Sequence, residues 1–224
     1  MAAIGFRILP RIDTNRALVA LFEGIPASII SDNLSRLTGT WGLSPMHRPG
    51  TALLGTALTV RVRSGDNLMI HKALQLGRPG DVLVIDGNGC IDRALMGEIM
   101  KNVAMARGFA GVVLDGAIRD SAAFREDGFP CYARGVCHRG PYKDGPGEIG
   151  TPVSCGGQVV MPGDLIMADE DGVVVVPRAE AAEVIAAAEA HNAKEQVAQA
   201  AIDAGTYDRA WVLAALKAKG CEGA

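Results

Sequence analysis

Hydrophobic positions change their period along this chain, and the changes mark its elements. Over residues 13–22, Leu18, Leu21 and Phe22 fall on one side of a 3.6-residue repeat behind Asp13, a good N-cap type, which predicts a helix. A second helix is expected at about 26–37. Pro45, His47, Arg48, Pro49 and Gly50 break both periods, so 41–50 reads as a loop. The stretch 51–62 then alternates, with Ala57, Thr59 and Arg61 on one face and Leu58, Val60 and Val62 on the other. It predicts one strand or a pair.

The middle of the chain repeats a unit. A helix through Leu76 leads to the turn Pro79-Gly80 and a short apolar strand at 81–85, of the kind buried on both faces. Leu95, Ile99, Val103 and Ala106 predict a long helix over 91–107. Gly111 to Leu114 is the next buried strand, with a short helix starting near Asp120. This strand–helix alternation predicts an α/β sheet covered by helices, with ligand groups where strands end in loops. From 130 to 177 short apolar pieces separated by glycine turns predict a compact β region, and Asp171-Gly172 is a hairpin signal. Two helices, at 178–204 and 207–219, close the chain. No segment has linker composition, so 1–224 reads as one domain whose C-terminal helices, 178–219, pack against a neighbouring subunit.

Composition narrows the function. The 224 residues carry 22 Lys and Arg against 25 Asp and Glu, a formal charge of -3, and 4% are aromatic. No basic surplus drives binding by the whole surface, a small basic patch staying open, and stacking platforms for bases are poorly supplied, so no nucleic-acid partner is expected. No apolar run approaches the length of a membrane span, so no membrane partner is expected. The apolar start at 1–4 is broken by Gly5 and Arg7, unlike an export leader. Five scattered cysteines without a Cys-x-x-Cys pair favour a reduced, cytoplasmic setting.

Three polar clusters stand out, the first two just past predicted strands. Asp86-Gly87-Asn88-Gly89 lacks the glycine spacing of a dinucleotide fingerprint, and leads to Gly97-Glu98. Asp115-Gly116-Ala117-Ile118-Arg119-Asp120 sets an arginine and an aspartate just past a buried strand. Such a carboxylate can hold a hard divalent cation, and the guanidinium can grip a carboxylate with two donors; an ion pair and a helix cap are the structural alternative. Asp115 is open between ligand and turn cap. His138-Arg139-Gly140 with Gly145 to Glu148 reads as a polar loop, over a pocket or purely architectural. Strand ends in a parallel sheet place Glu98, Arg119 and Asp120 in one crevice, which predicts a metal- and anion-binding site.

Gly65-Asp66-Asn67-Leu68, Gly80 to Asp86, Gly97-Glu98 and Gly116 to Asp120 resemble the RraA-like family, which includes the class II 4-hydroxy-4-methyl-2-oxoglutarate/4-carboxy-4-hydroxy-2-oxoadipate aldolases. Glu148 and the stretch from Pro162 to Pro177 extend the likeness, which runs from about Pro26 to Glu195. It implies a three-layer β/β/α sandwich related to the swivelling phosphohistidine domain, assembled as a homotrimer or homohexamer with interfacial active sites. It also implies Mg²⁺ or Mn²⁺ bound by Asp120, a pyruvate-type carboxylate held by Arg119, and substrate contacts from Asn67, His71 and the backbone N–H groups of Ile99 and Met100. Glu98 takes the place of an acidic residue that is Asp in the aldolase pattern, and Glu195 matches one that reaches in from a neighbouring subunit. The implied chemistry is cleavage of a 4-hydroxy-2-oxo acid to pyruvate, with oxaloacetate decarboxylation as a side reaction. The family also includes inhibitors that bind a ribonuclease, so a non-catalytic regulator is the alternative.

Overall fold

The computed structural model describes residues 4–14 and 16–223. Residues 1–3, the apolar start, and residue 15 of the first expected helix lie outside the described residues. In chain order come β1 (Phe6–Ile8), α1 (Arg16–Ala20), α2 (Ala27–Asn33), β2 (Ser44–Pro45), β3 (Leu53–Val62), α3 (Leu68–Leu76), β4 (Asp81–Met96), α4 (Glu98–Ala106), β5 (Gly111–Ile118), α5 (Ser121–Asp127) and β6 (Cys131–Val136). The rest are β7 (Gly147–Ile149), β8 (Val153–Cys155), β9 (Gln158–Val160), β10 (Leu165–Asp169), β11 (Gly172–Val176), α6 (Ala181–Asp203) and α7 (Ala210–Ala218).

Strands β3, β4, β5 and β6 lie parallel in that order, and α3, α4 and α5 make the crossovers that parallel neighbours require. The other edge of β3 is divided. Leu53 to Thr56 pair antiparallel with β10, and Val60 to Val62 pair antiparallel with β7. Beyond these lie β1 on β7 and, at the far end, β2 on β6.

The alternation read from the sequence sorts the core. Leu58, Val60 and Val62 join Leu83, Ile85, Val112 and Leu114 against α3, α4 and α5. Ala57, Val82, Val84 and Val113 face the opposite way, toward β8 to β11. The β10–β11 hairpin is buried on both faces. Ile166, Ala168, Val173 and Val175 meet the main sheet, while Leu165, Met167, Val174 and Val176 meet Ile29, Ile30, Val184 and Ile185 of α2 and α6. Both faces being dry is why the run from Val173 to Val176 shows no polar alternation. The fold is therefore mixed α/β, a central and mostly parallel sheet flanked by helices, as a three-layer sandwich requires. Among the described residues no helix is long and apolar enough to cross a membrane.

Three expectations are corrected. The first helix is only α1, and the 41–50 loop contains β2, paired with β6. The long helix at 91–107 does not form: residues 91–96 belong to β4, and α4 begins at Glu98. In this stretch β4 uses residues 86–96 while β5 advances only from Asp115 to Ile118, so the strand bulges. Leu95 is buried from the strand, whereas Ile99 is 77% exposed, so the apparent helical row is no face at all. In α4 the buried positions are Met100, Lys101 and Ala104.

Candidate active site

Two neighbouring parallel strands deliver the polar groups. Met96 of β4 pairs with Ile118 of β5, so Gly97 and Arg119 leave the sheet together. The Arg119 N–H donates to the Met96 carbonyl at 2.9 Å. Asp120 then takes φ 55° and ψ 39°. That left-handed conformation costs a residue with a Cβ about 1–2 kcal/mol, and it turns the chain into α5. Its Oδ2 accepts the Glu98 N–H at 3.1 Å and stands 3.6 Å from Arg119 Nε. A Cβ on Gly97 would meet that oxygen at 2.7 Å and Arg119 Cγ at 2.9 Å. Glycine at 97 is what lets the dyad close on the start of α4.

A cavity of about 190 Å³ opens beside the dyad, lined by Asn67, His71, Gly97, Ile99, Met100, Arg119, Asp120, Pro141 and Lys143, among others. The first-turn N–H groups of Ile99 and Met100 have no acceptor within α4, as at any helix start, and the helix dipole adds partial positive charge there. Arg119 and Lys143 add two cationic side chains to the same lining. His71, at the edge, is held below the usual imidazole range by burial and then by the Lys143 charge, so it is neutral at pH 7. Asn67 is buried, and its amide N–H groups go to the Leu95 carbonyl at 3.0 Å and to Met100 Sδ at 3.3 Å. It therefore ties the end of β4 to α4.

Asp120 is the one acidic side chain among the described residues that line this cavity, and its side chain is 46% exposed. Among the described residues no three His, Cys, Asp or Glu side chains converge as a metal cage. A single accessible carboxylate fits Mg²⁺ or Mn²⁺, which retain waters and take further oxygens from substrate, and does not fit zinc.

The remaining expected residues are placed elsewhere. Glu98 contributes its N–H, but its side chain is exposed and outside the cavity lining. Glu195 lies on α6, 3.4 Å from His191, on the opposite side of the sheet from α3 and α4. Asp115 is structural: it pairs with Arg134 and accepts the Gly156 N–H at 2.7 Å. Asp86 likewise accepts the Asn88 and Ser154 N–H groups. Glu148 pairs with Arg7 and Arg61. The His138 loop does cover the pocket, but through Pro141 and Lys143, since His138 itself is exposed and outside the lining. Lys143 is the residue that sequence reasoning missed; the flanking turn glycines were its only signal.

Larger cavities of about 430 and 500 Å³ lie along Arg36 to Leu43 and between Arg11 and Asp81. In the second, Arg11 grips Asp81 with both Nη atoms at 2.5 Å, Arg78 pairs with Asp13, and Arg16 donates to the Pro79 carbonyl at 2.9 Å.

Comparison with known proteins finds relatives by sequence and by structure. A protein of Halalkalibacterium halodurans, named provisionally as a 4-hydroxy-4-methyl-2-oxoglutarate aldolase, is 40% identical over 185 residues, 82% of this chain and 88% of its own. The 4-hydroxy-4-methyl-2-oxoglutarate aldolase of Thermus thermophilus is 37% identical over 123 residues, 55% of this chain and 74% of its own. A crystal structure from Streptomyces coelicolor, described as an unusual member of the RNase ES inhibitor RraA protein family, superposes with TM-score 0.78 at 27% identity, covering 85% of this chain and 99% of that one. The family profile described as RraA-like (aldolase/RraA) matches residues 27–175, spanning the parallel strands β3 to β6, the dyad and the Lys143 loop, and this chain belongs to that family.

Proposed function

We propose that the protein is a divalent-metal-dependent lyase that cleaves a 4-hydroxy-2-oxo di- or tricarboxylic acid to pyruvate and a second oxo acid. One observation carries the reading: Arg119, Asp120, the first turn of α4 and Lys143 meet on one small cavity. Aldolase-type activity in the curated relatives supports it.

Cleavage breaks the C3–C4 bond. Its electron pair moves toward the 2-oxo group as pyruvate enolate, the 4-hydroxyl loses its proton as C4 becomes a carbonyl, and C3 is then protonated. Arg119 holds the C1 carboxylate with two donors, and the Ile99 and Met100 N–H groups face the same charge. Lys143 takes a carboxylate at the far end. A divalent cation at Asp120 supplies charge that favours the enolate over the neutral ketone. The proton of the 4-hydroxyl passes through water to Glu98, or to Glu195 brought by a neighbouring copy in a homotrimer or homohexamer. Loss of CO₂ from oxaloacetate gives the same enolate and is expected as a side activity.

The test is pyruvate release, coupled to lactate dehydrogenase, from a panel of 4-hydroxy-2-oxo acids with and without Mg²⁺. Silence across the panel overturns the reading. The likeness to an RNase ES inhibitor family member favours a second reading, a non-catalytic regulator of a ribonuclease. Inhibition of a ribonuclease by a protein that releases no pyruvate would establish it.

A further inference from the structure

Asp66 has no exposed surface. A carboxylate removed from water is unfavourable unless its oxygens are satisfied, and here each is used. Oδ1 accepts the Leu68 N–H at 2.9 Å, in the first turn of α3. Oδ2 accepts the Asp144 N–H at 2.7 Å and the Gly145 N–H at 2.9 Å, with Arg63 Nη2 at 3.4 Å.

The two loop amides directly follow Lys143. On its other side Tyr142 is pinned to the same segment: its N–H donates to the Gly65 carbonyl at 2.8 Å, and its carbonyl accepts the Asn67 N–H at 3.0 Å. Arg93 adds a third hold, donating to the Gly140 carbonyl and the Tyr142 hydroxyl. The Lys143 backbone is thus fixed before and after, while its side chain is exposed and lines the cavity. The same carboxylate sets the start of α3, which carries His71.

We propose that Asp66 is a positioning residue: it fixes Lys143 relative to Arg119 and so sets the spacing between the two carboxylates that the cavity accepts. This rests on the lyase reading above. Asp66 touches no substrate; it acts through the loop.

The experiment is a double-mutant cycle of Asp66→Asn and Lys143→Met, assayed with 4-hydroxy-4-methyl-2-oxoglutarate and with oxalate, a mimic of pyruvate enolate. Asparagine keeps the size but turns a donor toward N–H groups. Each single variant is expected to raise KM about tenfold or more, as loss of a charged hydrogen bond does, with kcat changed less than about threefold. Oxalate inhibition should stay within about twofold. In the Lys143→Met background, Asp66→Asn should add no more than about twofold, because residues acting through one another are not additive. Multiplying effects, equal losses in kcat and oxalate affinity, or no effect of Lys143→Met overturn the proposal. If wild type neither releases pyruvate nor binds oxalate, the lyase reading falls and this falls with it; if wild type does both, only the positioning role is at stake. Should Asp66→Asn fail to fold, amide exchange in the wild type decides: Asp144 and Gly145 must be protected, and exchange at exposed-loop rates overturns the proposal.

Discussion

Replacing Gly97 by Ala adds one methyl group at the point where two strands and a helix meet. The residue has φ -141°, which any amino acid adopts, so the backbone itself is not strained. The new Cβ, however, would lie 2.7 Å from Asp120 Oδ2, where ordinary contact begins at 3.4 Å. Asp120 must retreat by about 0.7 Å, which stretches its 3.1 Å bond from Glu98 N–H beyond hydrogen-bond range. A hydrogen bond to a charged group is worth about 1.5–3 kcal/mol, or roughly 10- to 150-fold in a rate that depends on it. Arg119, whose Cγ would be met at 2.9 Å, shifts as well. Folding should suffer far less, because Gly→Ala reduces unfolded-state entropy and the side chains that must move, Arg119 and Asp120, are 44% and 46% exposed. The expectation is a kcat/KM for pyruvate release reduced at least about tenfold, with Tm within a few degrees of wild type. Gly97→Ser separates the clash from helix capping, since serine is a better N-cap but carries the same Cβ. Both variants should be impaired. Either one within twofold of wild type in kcat/KM refutes the reasoning.

Arg119→Lys should retain Mn²⁺ binding and lose oxalate affinity, while Asp120→Ala should do the reverse for the metal; calorimetric titration checks both, and unchanged oxalate affinity in Arg119→Lys counts against the clamp. Lys143→Met should move the His71 ring titration upward, since that ammonium is one of two causes holding it low; proton NMR reads the shift. A histidine with a folded pKa below its unfolded value contributes stability above about pH 6.5 that is lost as pH falls through that range, so His71→Gln should flatten the acid side of a Tm–pH profile. Asp120→Ala and Glu195→Ala subunits, each inactive alone, should regain partial activity after verified subunit exchange; mixed oligomers that regain none leave Glu195 without the interfacial role.

What the sequence revealed follows from how local each signal is. The strand alternation at Leu58, Val60 and Val62, the dry strand cores through Ile85 and Leu114, and the Asp171-Gly172 turn all depend on neighbours in the chain; each is found, although β4 and β5 run on to Met96 and Ile118. Arg119-Asp120 was legible because a polar pair just past a buried strand has a defined place in a parallel sheet. The error at 91–96 came from a four-residue spacing that happened to join a strand residue, Leu95, to exposed positions on α4. Bulges reset the period without a compositional mark. Lys143 was invisible for another reason: its nearness to Arg119 is made by Asp66, 77 residues earlier in the chain (143 − 66), and no periodicity reports such a tether.

The divided partnership of β3 has a consequence for how copies of this chain can meet. An open strand edge is a template on which another chain can add itself, and proteins guard against it. Here the inner strand is saturated on both sides, and the sheet terminates in β1, three residues long, and β2, two residues long and ending in Pro45. On the outer margin of β11 the Val173 carbonyl accepts the Thr40 N–H at 3.0 Å. Among the described residues, the two ends of this sheet therefore offer little backbone for another chain to pair with. Exposed apolar side chains are the larger resource for contact, among them Trp211, Leu213 and Leu216 of α7 and Val197 and Ile202 of α6.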